Sequence, residues 1–296
     1  MKKSLIAALI AATALCGAAC ASVPIGIPDD PTNGARAIKL LETAGLITVD
    51  PAAGFYPEVK DITGYIYDVE VVPAAANTLP ATLDDFGASI INGNFATPAG
   101  LVPSRDALII EKQQEGGGNP FINSIVARTA DKDNPLYKPI VDAYHTQIVA
   151  EFMLARYKEA ILPVFDYDPD FTVPEGFVDD INAYRSSKDG KKVVKVGVCG
   201  AGFNDQWNAV QKVLDDRGEG IYLEIVEFDA FNLPNEALNS GDIDLNAFQH
   251  KAYLKKEVES QGYKIEPIGD TLIGPLALFS RKAKTLDGLK ALAGKK

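Results

Sequence analysis

The chain has 296 residues, 47% of them hydrophobic and 23% charged, with a formal net charge of −11. That length and balance fit one large or two ordinary globular domains and exclude a disordered or fibrous chain. The acidic balance, with no Lys/Arg cluster interleaved with aromatics, argues against a nucleic-acid partner, whose phosphates require basic patches.

Residues 1–20 read as an export signal. Lys2 and Lys3 precede an apolar run, Leu5 to Leu15, which is too short for a permanent membrane span. Two cleavage patterns overlap. Gly17-Ala18-Ala19-Cys20 resembles a lipoprotein box, in which Cys20 would carry the lipid. Ala19-Cys20-Ala21 is an A-x-A pattern cut before Ser22. Either way the mature chain is expected outside the cytoplasm, anchored to the cell membrane by lipid in the first case and free in the periplasm in the second.

Val23 to Ile27 predicts an apolar strand. It leads into a helix with Asp30 as N-cap, Pro31 at the first helical position and Gly45 as the stop. The free N–H groups of that first turn, with Arg36 one turn on, suit an anionic ligand group such as a carboxylate, unless Arg36 is simply a solvated surface residue. Val49 to Gly54 is a turn-rich link, Tyr67 to Val72 a strand, and Ala76 to Asp85 a helix. Gly87 to Ile91 is a buried strand that leaves its sheet in a polar turn at Asn92. Ala107 to Glu111 and Phe121 to Arg128 are strands around a Gly-rich loop, Gln113 to Asn119. Leu136 to Arg156 has the spacing of one long helix.

Val164 to Gly190 is acidic and weakly periodic, a linker with one short helix at Val178 to Tyr184. Beyond it Lys191 opens a second strand-led unit. Strands are expected near 191–199, Ile221 to Phe228, Leu245 to Phe248, Lys264 to Ile268 and Leu276 to Phe279. Helices are expected at Asn204 to Asp216, Pro234 to Asn239, His250 to Gln261 and Thr285 to Leu292. The alternation makes this an α/β protein with mainly parallel sheets.

Chemistry is sparse. Cys199 is the one cysteine beyond the signal, and two histidines, His145 and His250, give no metal-ligand spacing. There is no GxxxxGK[ST] loop, and Gly200-Ala201-Gly202 is a weak nucleotide signal. No nucleophile–base pair stands out. No cofactor, metal or catalytic residue is therefore expected, and the chain is read as a non-enzyme.

Several segments resemble the methionine-binding lipoprotein (NlpA-type) family of ABC-transporter solute-binding proteins. They are IPDDPTNGARAI ending at Ile38, LPATLDD (Leu79 to Asp85), IINGNFA (Ile90 to Ala96) and NPFINSIVAR (Asn119 to Arg128). Further on come EIVEFDAFNLPNEALNSGDID (Glu224 to Asp244), NAFQHKAYL (Asn246 to Leu254) and GYKIEPIG (Gly262 to Gly269). Their order differs from the family's, in which the KVGV strand, here at Lys195, comes first and the DPTN helix near the middle. The resemblance thus implies a circularly permuted chain, with the family's usual ends joined by the 164–190 linker.

The resemblance implies a two-lobed periplasmic-binding-protein (type II) fold with a hinge. One lobe would be 21–91 plus the terminal helix, 285–296; the other would be 92–284, with hinge crossings near Asn92 to Phe95 and Ser280 to Lys284. It implies capture of a small amino acid, methionine or a relative, for an ABC permease, by a monomer tied to the membrane through Cys20 if lipidated. Arg36 would grip the carboxylate, Asn92 and Asn123 would take polar contacts, and Phe231, Phe248, His250 and Tyr253 would line the pocket. Plainer readings stand beside these: Asn92 holding a turn, Phe248 and Tyr253 as core, His250 as a helix cap. Phe203-Asn204-Asp205 in place of the family's usual Pro-His, and Phe231 in place of its frequent Tyr, leave room for another ligand, such as a short peptide or organic anion. An exported α/β enzyme on the same architecture is a further alternative.

Overall fold

A computed structural model describes residues 22–112, 119–158, 160–200 and 202–296. The expected export signal, Cys20 and most of the Gln113 to Asn119 loop lie outside the described residues. In chain order the strands are β1 (Val23–Pro28), β2 (Ile47–Val49), β3 (Ile62–Tyr65), β4 (Val69–Ala74), β5 (Ala88–Asn92), β6 (Ala107–Ile110), β7 (Ser124–Arg128), β8 (Leu162–Pro163), β9 (Lys192–Cys199), β10 (Ile221–Phe228), β11 (Leu245–Asn246), β12 (Ile265–Asp270), β13 (Leu272–Ile273) and β14 (Leu276–Phe279). The helices are α1 (Pro31–Thr43), α2 (Gly93–Ala96), α3 (Pro103–Asp106), α4 (Tyr137–Tyr144), α5 (Gln147–Tyr157), α6 (Phe177–Ala183), α7 (Gln206–Asp216), α8 (Pro234–Ser240), α9 (Lys251–Gln261) and α10 (Leu286–Ala293).

Two five-stranded sheets result, in the orders β4-β1-β5-β14-β6 and β10-β9-β11-β7-β12. β1 runs parallel to β4 and β5, and β9 parallel to β10 and β11. β14 is antiparallel to β5 and β6, and β7 to β11 and β12. Each sheet is therefore mixed rather than mainly parallel. The antiparallel pairings fall on the strands that carry the chain between sheets: β6 leads to β7, and β12 leads through β13 to β14.

These pairings correct the expected lobe boundaries. Dividing the chain at 91/92 and 284/285 assigns β6 and β14 to the second lobe, yet both belong to the first sheet. Leu276 to Phe279 lies against Ser89 to Asn92 on one side and Ala107 to Ile110 on the other. Such long-range pairing leaves no mark in local periodicity. The chain passes between sheets after β6 and between Thr271 and Leu276, not at Asn92 to Phe95 and Ser280 to Lys284. Each lobe has its own core, one around Ile25, Ile38, Leu41 and Leu278, the other around Trp207, Phe152, Tyr144 and Val196.

The α1 entry forms as its sequence requires. Asp30 Oδ1 accepts from Thr32 N at 3.2 Å and Asn33 N at 2.8 Å, satisfying two otherwise orphaned helix donors. Gly34 lets α1 lie close to β1, since a Cβ there would come within 2.9 Å of the Pro28 carbonyl oxygen. Ile38 and Leu41 are fully buried, which stabilises the lobe by about 1.5–3 kcal/mol each.

Two helix expectations fail. Ala76 to Asp85 is a series of turns, with Leu79 and Leu83 buried. Pro80 has no N–H to give a helix, and Thr78 spends its hydroxyl on the Ala75 carbonyl oxygen at 2.8 Å. The long 136–156 helix is broken into α4 and α5, because Thr146 is extended and its hydroxyl bonds the Ala143 carbonyl oxygen at 2.8 Å.

The 164–190 segment is docked, not slack. Its α6 buries Ile181, and Phe165, Phe177 and Val178 pack on the second core. Tyr184 donates to Asp215 at 2.7 Å, and Gln147 exchanges two hydrogen bonds with Asp168. At the other end of the molecule, Ser22 Oγ donates to Asp68 Oδ1 at 2.7 Å, and Lys296 Nζ lies 3.5 Å from the same oxygen. The first and last described residues thus meet at one carboxylate.

Candidate functional site

The carboxyl ends of β1, β5, β9 and β11 converge on a cavity between the two sheets, the usual place for a ligand in α/β folds. It holds about 70 Å³, room for a compact ligand. All seven residues singled out from the sequence line it: Arg36, Asn92, Asn123, Phe231, Phe248, His250 and Tyr253. Sequence reasoning missed Asn33, Tyr144, Gln206 and Thr271, which also face it. Asn33 was within reach, since it lies one helical turn before Arg36 on the same face.

Arg36 is buried rather than solvated, at 4% exposure. It is also already paired. Its Nε donates to Glu111 Oε1 at 3.0 Å, and its Nη2 forms an ion pair with Glu111 Oε2 and donates to the Gly274 carbonyl oxygen at 2.9 Å. Nη1 donates to Asn33 Oδ1 at 3.0 Å, and the guanidinium sits 4.7 Å from the Phe121 ring centre. Four of its five N–H groups are thereby used, leaving one on Nη1. Arg36 also ties α1 to the end of β6 and to the passage at Gly274.

His250 caps α9 and lines the cavity at once. Its Nδ1 accepts from Tyr253 N at 3.0 Å, which puts the ring proton on Nε2, 3.2 Å from Asn33 Oδ1. Burial, with the Arg36 charge adding, holds its pKa well below the usual histidine value, so the ring is neutral. The His250–Asn33 bond joins the two lobes directly.

Asn92 does not act as a cap. Its side chain makes no bond to α2, and its Oδ1 is buried without a hydrogen-bond partner. A buried carbonyl in that state costs stability until a donor reaches it. Asn123 is held through its backbone, which exchanges bonds with Leu272 and Thr271 at 2.8 Å each and bridges His250. Phe231, Phe248 and Tyr253 form an aromatic wall with ring centres 6.0–6.1 Å apart. Phe95 of the first lobe meets Phe231 at 4.9 Å.

Cys199, at the cavity edge, is inert. Burial, with Asp229 adding, pushes its thiol up to about 12. The arrangement is suited to holding a small zwitterion. It has one buried cation, an unpartnered neutral acceptor in Asn92 Oδ1 and an aromatic wall.

The model of the NlpA lipoprotein family matches residues 21–165 and 194–294, most of the chain. The D-methionine-binding lipoprotein MetQ of Escherichia coli (strain K12) is 44% identical over 97 residues, 33% of this chain and 35% of that protein. Outer membrane lipoprotein 3 of Mannheimia haemolytica is 38% identical over 138 residues, 47% of this chain and 51% of that one. Among solved structures, a nutrient-binding protein from Burkholderia cenocepacia bound to methionine is 29% identical with a TM-score of 0.42, covering 49% of this chain and 60% of that one. The chain spans between a third and half the length of these two curated relatives. With most of its length matched by the family model, the chain belongs to the NlpA lipoprotein family.

Proposed function

We propose that this chain is the extracytoplasmic solute-binding component of an ABC importer, and that it closes its two lobes around a small amino acid, methionine or a close relative. The observation that carries this is the buried, unpartnered Oδ1 of Asn92, which faces the same cavity as Arg36 and the aromatic wall. The ligand carboxylate meets the remaining Arg36 N–H, its ammonium meets Asn92 and Asn123, and its side chain lies against Phe231, Phe248 and Tyr253. No bond is made or broken, so the chain is not an enzyme. A permease in the membrane receives the ligand, and Cys20 carries the lipid that keeps the monomer near it. Names of relatives support the reading: one is a D-methionine-binding lipoprotein, and one solved neighbour holds methionine.

A thermal-shift screen of L- and D-amino acids tests it. A ligand at a hundred times its Kd stabilises the fold by about 2.7 kcal/mol, a shift of several degrees. The absence of any shift across the set would contradict the proposal.

The chain is also proposed to be a circular permutant. The family match breaks between 165 and 194, the span of the docked linker, and the two described ends meet at Asp68. Joining Lys296 to Val23 and opening the linker before Lys191 should give a protein that folds and binds equally well. Failure of that rearranged chain to fold would count against the permutation.

A further inference from the structure

At the edge of the cavity, which Gln249 lines, lies a cluster of three amides whose other two members, Asn235 and Asn246, do not line it. Asn235 and Asn246 are fully buried, and Gln249 is 3% exposed. Asn235 Nδ2 donates to Gln249 Oε1 at 2.8 Å, and Gln249 Nε2 donates back to Asn235 Oδ1. Asn246 Nδ2 donates to the same Asn235 oxygen at 3.0 Å, and Gln249 Nε2 donates to Asn246 Oδ1 at 3.0 Å. Each amide thus bonds both others. A buried polar network of this kind holds one geometry, because any other leaves amides unpaired at low dielectric.

Its place in the chain gives it a use. Asn235 opens α8, directly after the loop that carries Phe231. Asn246 ends β11, and Gln249 lies between Phe248 and His250. The backbone at Gln249 is fixed too, its carbonyl oxygen accepting from Ser124 N at 3.1 Å. The three amides therefore staple together the two loops that bring Phe231, Phe248 and His250 to the cavity.

We propose that Asn235, Asn246 and Gln249 are positioning residues: they set the orientation of Phe248 and His250 and the spacing between those rings and Phe231. The inference rests on the solute-binding reading for the use of those rings, and on geometry alone for their placement. Gln211 supplies a control. It is a buried amide of the same lobe, bonded to the Ile221 carbonyl oxygen at 3.0 Å and to Leu223 N at 2.7 Å, and it does not line the cavity.

The test compares Gln249→Met with Gln211→Met in purified protein, with Asn246→Ser as a milder variant should Gln249→Met fail to fold. With two histidines in the chain, the 15N spectrum of labelled rings is simple to read. Gln249→Met and Asn246→Ser are expected to move the His250 resonances and leave those of His145 in place, while Gln211→Met moves neither. Titration with L-methionine is expected to show a Kd raised at least tenfold by Asn246→Ser, whose side chain does not line the cavity, and changed less than twofold by Gln211→Met. His250 resonances unmoved by both cluster variants, or moved equally by Gln211→Met, would overturn the proposal. If the unaltered protein binds no amino acid, the functional reading falls, and the ring spectra still decide this one.

Discussion

The two lobes meet the cavity with different chemistry. The first lobe presents Asn33 and Arg36 from α1 and Asn92 from the end of β5, with Arg36 paired to Glu111. The second presents the rings of Phe231, Phe248, His250 and Tyr253, with the polar side chains of Asn123, Gln206, Gln249 and Thr271 beside them. On the proposed reading the first lobe supplies the cation for the ligand's carboxylate, and the second supplies the ring wall and a share of the polar contacts. Binding that needs both halves at once follows from closure of one lobe on the other, and the His250–Asn33 bond is where the two chemistries join.

Arg36→Ala would break this division most severely. It removes the cavity's cation and leaves Glu111, 17% exposed and still accepting from Leu276 N, without its charged partner, a loss below the roughly 3–5 kcal/mol of a fully buried pair. Urea unfolding should show that loss, and calorimetry should show no binding. Adding Glu111→Gln should restore much of the stability and none of the binding. If binding returns with stability, Arg36 is structural and the first lobe does not read charge.

Asn92→Leu separates function from stability. Its Oδ1 has no partner, so the apo protein should be as stable or slightly more so, while affinity falls by at least tenfold, about 1.4 kcal/mol. A drop in apo stability without loss of affinity would return Asn92 to a plain turn residue.

The second lobe can be probed by pH. His250 is held well below the usual histidine value by burial, then by Arg36. As pH falls through about 6.5 the unfolded chain takes up a proton that the folded ring refuses. Stability is thus complete above that pH and is lost on the way down towards the folded-state value, by up to about 1.4 kcal/mol per pH unit. Urea midpoints at pH 7.5, 6.5 and 5.5 should show the decline, and His250→Gln should flatten it.

The smallest effect is expected at the entry to α1. Asp30→Ala removes the cap and the Asp30 bond to Asn33 Nδ2, costing about 1 kcal/mol of stability and loosening the Asn33 contact with His250. A thermal melt measures it.

The local signals in the sequence were those with a local cause. Asp30, Pro31 and Gly45 marked α1, and the apolar segments Ile221 to Phe228 and Leu276 to Phe279 are strands at the bounds expected for them. Six of the seven cavity residues rest on the family resemblance alone, while Arg36 is also marked by its place one turn into α1. Features with a distant cause stayed hidden. Glu111 is 75 residues from Arg36, so the paired state of the arginine had no trace in the DPTN helix. The break at His145 and Thr146 interrupts a helical spacing that runs on through it. It is fixed by the Thr146 hydroxyl and by His145 reaching the Asp270 carbonyl oxygen. The sheet membership of β6 and β14 likewise depends on strands far away in sequence.

Closure of one lobe on the other is tested most directly by the distance between two spin labels, one on each side of the cleft mouth. Ala81→Cys in the first lobe and Asn232→Cys in the second lie on two clefts that share Asn77 and Phe95, and the buried Cys199 does not compete for label. The labels should draw together when the binding amino acid is added, and should stay apart when Arg36→Ala is introduced. A ligand that binds tightly without changing that distance would contradict capture between the lobes.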